Sequence, residues 1–477
     1  MDNRAALSTL RTMARGFLPY TLNQRLLLPP DLREWLPEGH LALFVSDVVE
    51  HLDLSQILAV HAGKDVRGRA GYHPVMLVKL IVYGYCVGKT SSRKLERATY
   101  EDVALRVLAG DQHPDHDSIA SFRKEHLDAL GNLFAQVLVL CQKAGLVKLG
   151  HIAIDGTKLG ANASKHKAMS YGRMLEAEKK LREEVQRLLE EAERVDAEED
   201  ARFGKGERGD ELPQELQRRE SRLKKLREAK AELEAEAKAN AEAQATLAQT
   251  KLEDRARKEA ETGKKTGGKP PSVPDPEQAQ PDPQAQRNFT DPQSRIMLDG
   301  ATKGFVQAYN AQIAVDAEAQ IIVAAAVTQQ ANDKLQLTVV AQAIVDNVGR
   351  LADTTSADAG YFSADAIEKV EALGTRLLVP PHRQKHGAPP DSVAPLPESP
   401  STLERMRHDL NSETGRALYR MRKAIVEPVF GQIKAVRGLR RFALRGLARV
   451  QAEFSLIALT HNLLKLFRRS PTAFRFA

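Results

Sequence analysis

The chain has 477 residues, 28% of them charged and 42% hydrophobic, with a formal net charge of +7. That length suits about two or three domains, and the apolar content is enough to bury a core. No run approaches the roughly 18 uncharged apolar residues of a membrane span, and the first residues lack the apolar stretch of a secretory signal, so a cytoplasmic protein with no membrane partner is expected. Cys86 and Cys141 sit in separate apolar runs without metal-ligand spacing, which argues against a disulfide or zinc framework.

The charge is unevenly spread. Residues 405–477 hold 16 Lys and Arg against 4 Asp and Glu, whereas residues 172–260 hold 21 against 24. A local basic excess of that kind points to a polyanion, most often nucleic acid.

In chain order, residues 1–148 read as helical. Leu41 to Leu54 has helical spacing. Pro74 suits the first position of a second helix that Gly88 closes. Ser91 or Ser92 is placed to cap a third, and Asp117 or Ser118 the next. The short helix–turn–helix spacing is compatible with a DNA-reading element. Residues 150–160, GHIAIDGTKLG, read as a strand closing on an acid and a turn. From Met174 the apolar residues Leu181, Val185, Leu188, Ala192 and Val195 recur in steps of four and three. Leu216, Leu223, Leu226, Leu233 and Ala237 give a second seam after a glycine-rich turn. That predicts an antiparallel helical hairpin over 173–260, followed by a Pro/Gly/Gln linker over 261–290.

Strand-like sequence resumes afterwards. KGFVQAYNAQIAVD and QIIVAAAVT flank a turn at Asp316–Ala319. A helix, the short strand TTSADAGY, a second helix and the strand TRLLVPP follow, then a proline-bearing loop and the basic helices. The alternation predicts a mixed α/β sheet interrupted by the hairpin. The expected divisions are 1–148, 149–172, 173–260, 261–290, 291–467 and a tail at 468–477.

Three acids stand out. Asp155 and Asp358 each close a predicted strand and precede glycine, where open α/β sheets place their sites. Glu427 precedes Pro428, which would set it at a helix start. Converging carboxylates suit hard cations such as Mg²⁺. Each acid alone is better explained as a turn former or dipole partner, and Asp291, Asp316, Asp353 and Asp365 compete for the same role.

The segments IDGTKLGANASKHKAMSY, TDPQSRIM, KGFVQAYNAQIAVD, SADAGY and YRMRKAIVEPVFGQIK together resemble bacterial insertion-sequence transposases of the DDE class. GRAGYHPVMLVKLIVYGYCVGKTSSRKLERA and PDHDSIASFRKEH resemble the helical N-terminal domain of their InsH-type members. The resemblance spans roughly 30–170 and 288–467. It implies an RNase H-like core and a catalytic and metal-binding set of Asp155, Asp358 and Glu427. Two Mg²⁺ ions, replaceable by Mn²⁺, would be the cofactor. The implied partners are double-stranded DNA, both terminal inverted repeats and target, and further copies of the chain; the location would be the nucleoid. In relatives the glutamate lies in a pattern of tyrosine, two residues, arginine, three residues, glutamate, six residues, lysine. Glu427 and Lys434 fit it. The first two positions hold Arg420 and Lys423, with Tyr419 and Arg422 one residue earlier. Lys158, Asn162, Lys165, Arg422, Lys423, Lys434 and Arg437 are the expected DNA contacts. The rival readings are a catalytically decayed DNA-binding remnant and a coiled-coil scaffold.

Overall fold

The computed structural model describes residues 31–62, 71–203, 214–300, 303–382 and 396–469. Seven helices come first: α1 (Leu41–His51), α2 (Ser55–Ala62), α3 (Pro74–Cys86), α4 (Ser92–Glu101), α5 (Val103–Leu108), α6 (His116–Glu125) and α7 (Leu127–Lys143). Proline opens α3, and Gly88 follows its end at φ +76°. The cap of α6 is Asp115, whose carboxylate accepts from Ser118 N, rather than Asp117 or Ser118.

Strand β1 (His151–Gly160) leads to β2 (Ala168–Ser170) and then to two long helices, α8 (Tyr171–Phe203) and α9 (Gln214–Thr262), which pack together. Their connection lies outside the described residues. Met174, Leu181, Leu223, Leu226 and Leu233 are buried along the seam. Between Met174 and Leu181 the repeat places Glu178, which is also buried, with Arg182, Arg227 and Lys230 around its carboxylate. A charge survives there because three cations compensate its lost hydration.

The segment after α9 is not a free tether throughout. Residues 276–281 lie against α9, with a Lys238–Glu277 ion pair. Tyr171 N and Gly172 N donate to the Ala285 and Pro283 carbonyls. Ala285 and Phe289 pack on the Met174 cluster, and β3 (Gln286–Asn288) pairs with β2. The apolar contacts of Ala285 and Phe289 explain why a Pro-rich stretch is held.

The main sheet adds β4 (Arg295–Leu298), β5 (Phe305–Asp316), β6 (Ile322–Thr328), β7 (Thr354–Ser356) and β8 (Arg376–Leu378). β1 lies antiparallel to β5 and parallel to β7, and β7 lies parallel to β8. β4 and β6 share the far edge of β5. The helices are α10 (Gln336–Val348), α11 (Ala364–Glu371), α12 (Thr402–Asn411), α13 (Glu413–Gly431) and α14 (Leu447–Arg469). This is the mixed α/β arrangement the alternation predicts.

α14 packs on β6 on one side and on α3 and α7 on the other, so one continuous apolar core runs from Leu36 to Leu466. Arg437 seals the junction. It is 7% exposed, and its guanidinium donates to the Tyr85 and Ile457 carbonyls and to Thr460 Oγ1. A Cβ at Gly88 would collide with the Arg437 carbonyl. Arg437, an expected DNA contact, is thus buried among protein acceptors, and burial lowers its pKa to about 10. Arg437→Ala should cost about 2–3 kcal/mol by orphaning buried acceptors, read as a lower urea midpoint with DNA affinity unchanged per folded molecule. Limited proteolysis should cut first within 263–275, and cleavage starting in 276–288 would contradict the strapped arrangement.

Candidate active site

β1 is longer than β7, and this builds the site. Their parallel pairing ends at Ala153 opposite Ser356. Beyond it, the edge of β1 is open where Asp155 lies, and Asp358 stands the same two residues past the end of β7. Asp155 is therefore mid-strand and does not close it, since β1 continues along β5 to Gly160. Asp155 Oδ1 accepts from Gly156 N at 2.9 Å, and Asp358 Oδ1 from Gly360 N at 2.8 Å.

α13 crosses this edge. Glu427 is not at a helix start, because the helix runs through Pro428. Proline leaves the carbonyl four residues earlier without its usual donor. That carbonyl, of Ala424, accepts instead from Gln320 Nε2 at 3.0 Å. Gln320 is itself fixed by Lys465 Nζ on α14. Arg422 is 7% exposed, and its Nη1 lies 3.3 Å from Asp155 Oδ2. Its guanidinium also covers the Tyr419 ring at 5.8 Å. Tyr419 and Arg422 therefore face the site, despite standing one residue early in the signature. Lys434, in a wide turn at Gln432–Val436, donates to Thr157 Oγ1 and the Lys158 carbonyl. Thr157 shares a sheet face with Asp155. Glu427 is exposed on α13, away from the face formed by Arg422, Ile425, Val426 and Val429, and makes no described hydrogen bond or ion pair with Asp155 or Asp358.

On the opposite face of β1, Gly156 and Lys158 pair with Gln312 and Asn310. Here the structure supplies an acid that sequence reasoning missed. Asp333 Oδ1 accepts from Asn310 Nδ2 at 2.7 Å and Gln312 Nε2 at 2.6 Å, and lies 4.0 Å from Lys158 Nζ. Tyr361, fully buried, donates to Gln312 Oε1. The available signal was thin: an isolated acid in ANDK ahead of a helix, a place where acids commonly serve the dipole.

Electrostatics follow from this crowding. Burial pushes the Asp155 carboxyl up to about 6; Arg422 opposes the shift, and Asp358 and Asp333 add to it. Burial lowers Lys158, while Asp333, Asp358 and Asp155 oppose it.

The other expected DNA contacts fall into two groups. Lys165 and Lys423 are exposed. Lys158, Asn162, Arg422 and Lys434 have protein partners, Asn162 donating to the Ala443 carbonyl at 2.6 Å. The competing acids are committed elsewhere. Asp316 accepts from Lys148 N and Leu149 N, and Asp291 from Tyr309 and Gly446 N. Asp353 and Asp365 form exposed pairs with Arg350 and Lys369.

Among the described residues, no three His, Cys, Asp or Glu side chains form a ready cage for an ion. Magnesium does not require one, since it commonly takes one or two carboxylates and completes its shell with waters and substrate phosphates. Asp155 and Asp358, both oxygen donors at an open edge, fit that demand.

A mixed sheet with two aspartates at the uneven end of adjacent parallel strands defines an RNase H-like nucleic-acid-processing core. Residues 30–125 match the family model described as Transposase domain (DUF772), and residues 284–463 match the one described as Transposase DDE domain. The chain belongs to the DDE transposases of insertion sequences. No curated protein and no solved structure matches it. The DDE match begins after the helical insertion and so omits β1 and Asp155; strand pairing joins them to it.

The raised pKa of Asp155 sets a sign. A carboxyl whose folded pKa is raised from 3.8 to about 6 costs stability that grows as pH rises between those values and is fully present above 6. Removing the charge should therefore help most at neutral pH and least once the folded carboxyl is protonated. Metal-free Asp155→Asn should gain Tm relative to the parent at pH 7, and the gain should shrink as pH falls from 6 to 4. Calorimetry across that range checks it; a pH-independent difference would contradict the buried, crowded environment.

Proposed function

We propose that the chain binds the terminal inverted repeats of its element, cleaves a DNA strand at each end and joins the freed 3′ hydroxyl to target DNA, acting as a homo-oligomer on paired ends. The observation behind this reading is the pairing of Asp155 with Asp358 at the open edge of β1, beneath a basic helix. Asp155, Asp358 and Glu427 would hold two Mg²⁺ ions, with Mn²⁺ able to substitute. When bound, such ions activate the attacking oxygen and stabilise the leaving one.

The protein groups have separable roles. Arg422 offsets the carboxylate charge in the metal-free chain and shields Asp155 from water. Lys434, tied to Thr157 and the Lys158 carbonyl, fixes α13 against β1 so that Glu427 stays on the rim. Lys165 and Lys423, exposed on either side, neutralise backbone phosphates. The N-terminal helices share one core with the catalytic sheet, so DNA held by them keeps its register relative to Asp155.

Asp358→Asn and Asp155→Asn should retain end binding in gel-shift assays and lose Mg²⁺-dependent nicking by orders of magnitude. Glu427→Gln should do the same. Nicking by Asp358→Asn at the parent rate would remove the assignment, and normal binding with no nicking by the parent protein would favour the decayed remnant. Lys423→Gln and Lys165→Gln should each weaken binding and reduce the salt slope by roughly one unit per lost contact. Unchanged slopes would place the DNA path elsewhere.

A further inference from the structure

Asp333 lies beside the glycines that follow the two site aspartates. A Cβ at Gly156 would stand 2.9 Å from Asp333 Oδ1. A Cβ at Gly360 would stand 3.6 Å from Asp333 Oδ2 and 3.0 Å from Asp358 Oδ1. The glycines that follow the two site aspartates thus leave a gap, and Asp333 looks into it. Its two oxygens have different surroundings. Oδ1 takes the Asn310 and Gln312 amides; no described donor hydrogen-bonds Oδ2, which faces Asp358 across the space at Gly360.

A second feature shows that these carboxylates draw a cation. Arg422 is more than nine-tenths buried, and its Nε and Nη1 have no hydrogen-bond acceptor although it is aimed at Asp155. A buried guanidinium with unsatisfied donors is costly. It is tolerated here because the Asp155 and Asp358 carboxylates hold a positive charge beside them, as Asp333 holds Lys158.

We infer that Asp333 is a positioning residue for the cation held by Asp358: its free Oδ2 accepts hydrogen bonds from water bound to the ion, while the two amides fix where that oxygen stands. This rests on the reading of Asp155 and Asp358 as the metal-holding pair. Outer carboxylates of this kind orient the inner shell, and their loss commonly costs about 10–100-fold in metal affinity.

The test is Mn²⁺ titration of the full-length, DNA-free protein, with free Mn²⁺ followed by electron paramagnetic resonance. Asp333→Asn should weaken Mn²⁺ about tenfold or more with unchanged circular dichroism, and Asp333→Glu, which restores the charge, should recover most of the affinity. Asp358→Asn should weaken it further. Parent-like affinity in Asp333→Asn, with loss in Asp358→Asn, overturns the role of Asp333 and leaves the metal pair standing. Parent-like affinity in both overturns the metal reading itself. Should Asp333→Asn not fold, Asn310→Ser takes its place, since it keeps the carboxylate and removes one amide that aims it. A several-fold loss then supports the inference, and parent-like affinity overturns it.

Discussion

The site depends on a mismatch in strand length. β1 has ten residues and β7 three, and their register leaves the second half of β1 without a partner on that side until the Gly160–Arg441 bridge. Backbone groups on an open edge need partners or solvent. Here the edge is flanked by Asp358, by α13 and, from the other face, by Asp333. Lengthening β7 by two residues would cover Ile154 and Asp155, with Asp358 drawn into the ladder. The opening comes from the chain leaving β7 for a tight turn at Ala359–Tyr361, capped by Asp358 itself.

Delivery of α13 to that edge is a separate problem, solved at a distance. Pro428 would ordinarily break the helix just after Glu427. Gln320 prevents this by satisfying the Ala424 carbonyl from the turn between β5 and β6, where its φ is +57°. The same residue's carbonyl lies 2.9 Å from His461 Nε2, and burial holds the pKa of that histidine down to about 3, so it is neutral and can donate. One turn residue thereby couples α13 and α14 to the hairpin. The unwinding at Gln432–Val436 then brings Lys434 onto Thr157.

Much of this was legible in the residues. β-branched alternation marked β5 and β6, Pro74 and Gly88 bracketed α3, and heptad steps marked the α8–α9 seam. Asp155 and Asp358 stood out because each follows a predicted strand and is soon followed by glycine, but only the family resemblance separated them from Asp291, Asp316, Asp353 and Asp365. What the sequence hid was whatever depends on distant partners. Asp333 is meaningful only beside Asn310 and Gln312, which reach it through strand pairing. Glu178 is a charge in an apolar seam, visible only once Arg227 and Lys230 arrive from the facing helix. β4 and the β2–β3 ribbon are three or four residues long, too short for periodicity to register. Pro428 suggested a helix start because its local meaning is a boundary, and only Gln320 reverses that.

The basic surplus after residue 405 also changes meaning once the partners are known. Arg437 is spent on joining α14 to α3, Arg422 on Asp155, and Arg405 on Glu371. Of these, Arg437 and Arg422 are buried and stabilise packing, whereas the Arg405 pair is partly exposed. Arg420, Lys423, Arg440, Arg441, Arg445 and Arg449 remain exposed. They lie along α13, the turn after it and the start of α14, which is the stretch that borders the open edge of β1. The electrostatic footprint is thus smaller than the residue count implies but more directed. On the proposed reading, phosphate backbone attracted to this strip would reach the carboxylates from the α13 side, where Arg422 already lies against Asp155.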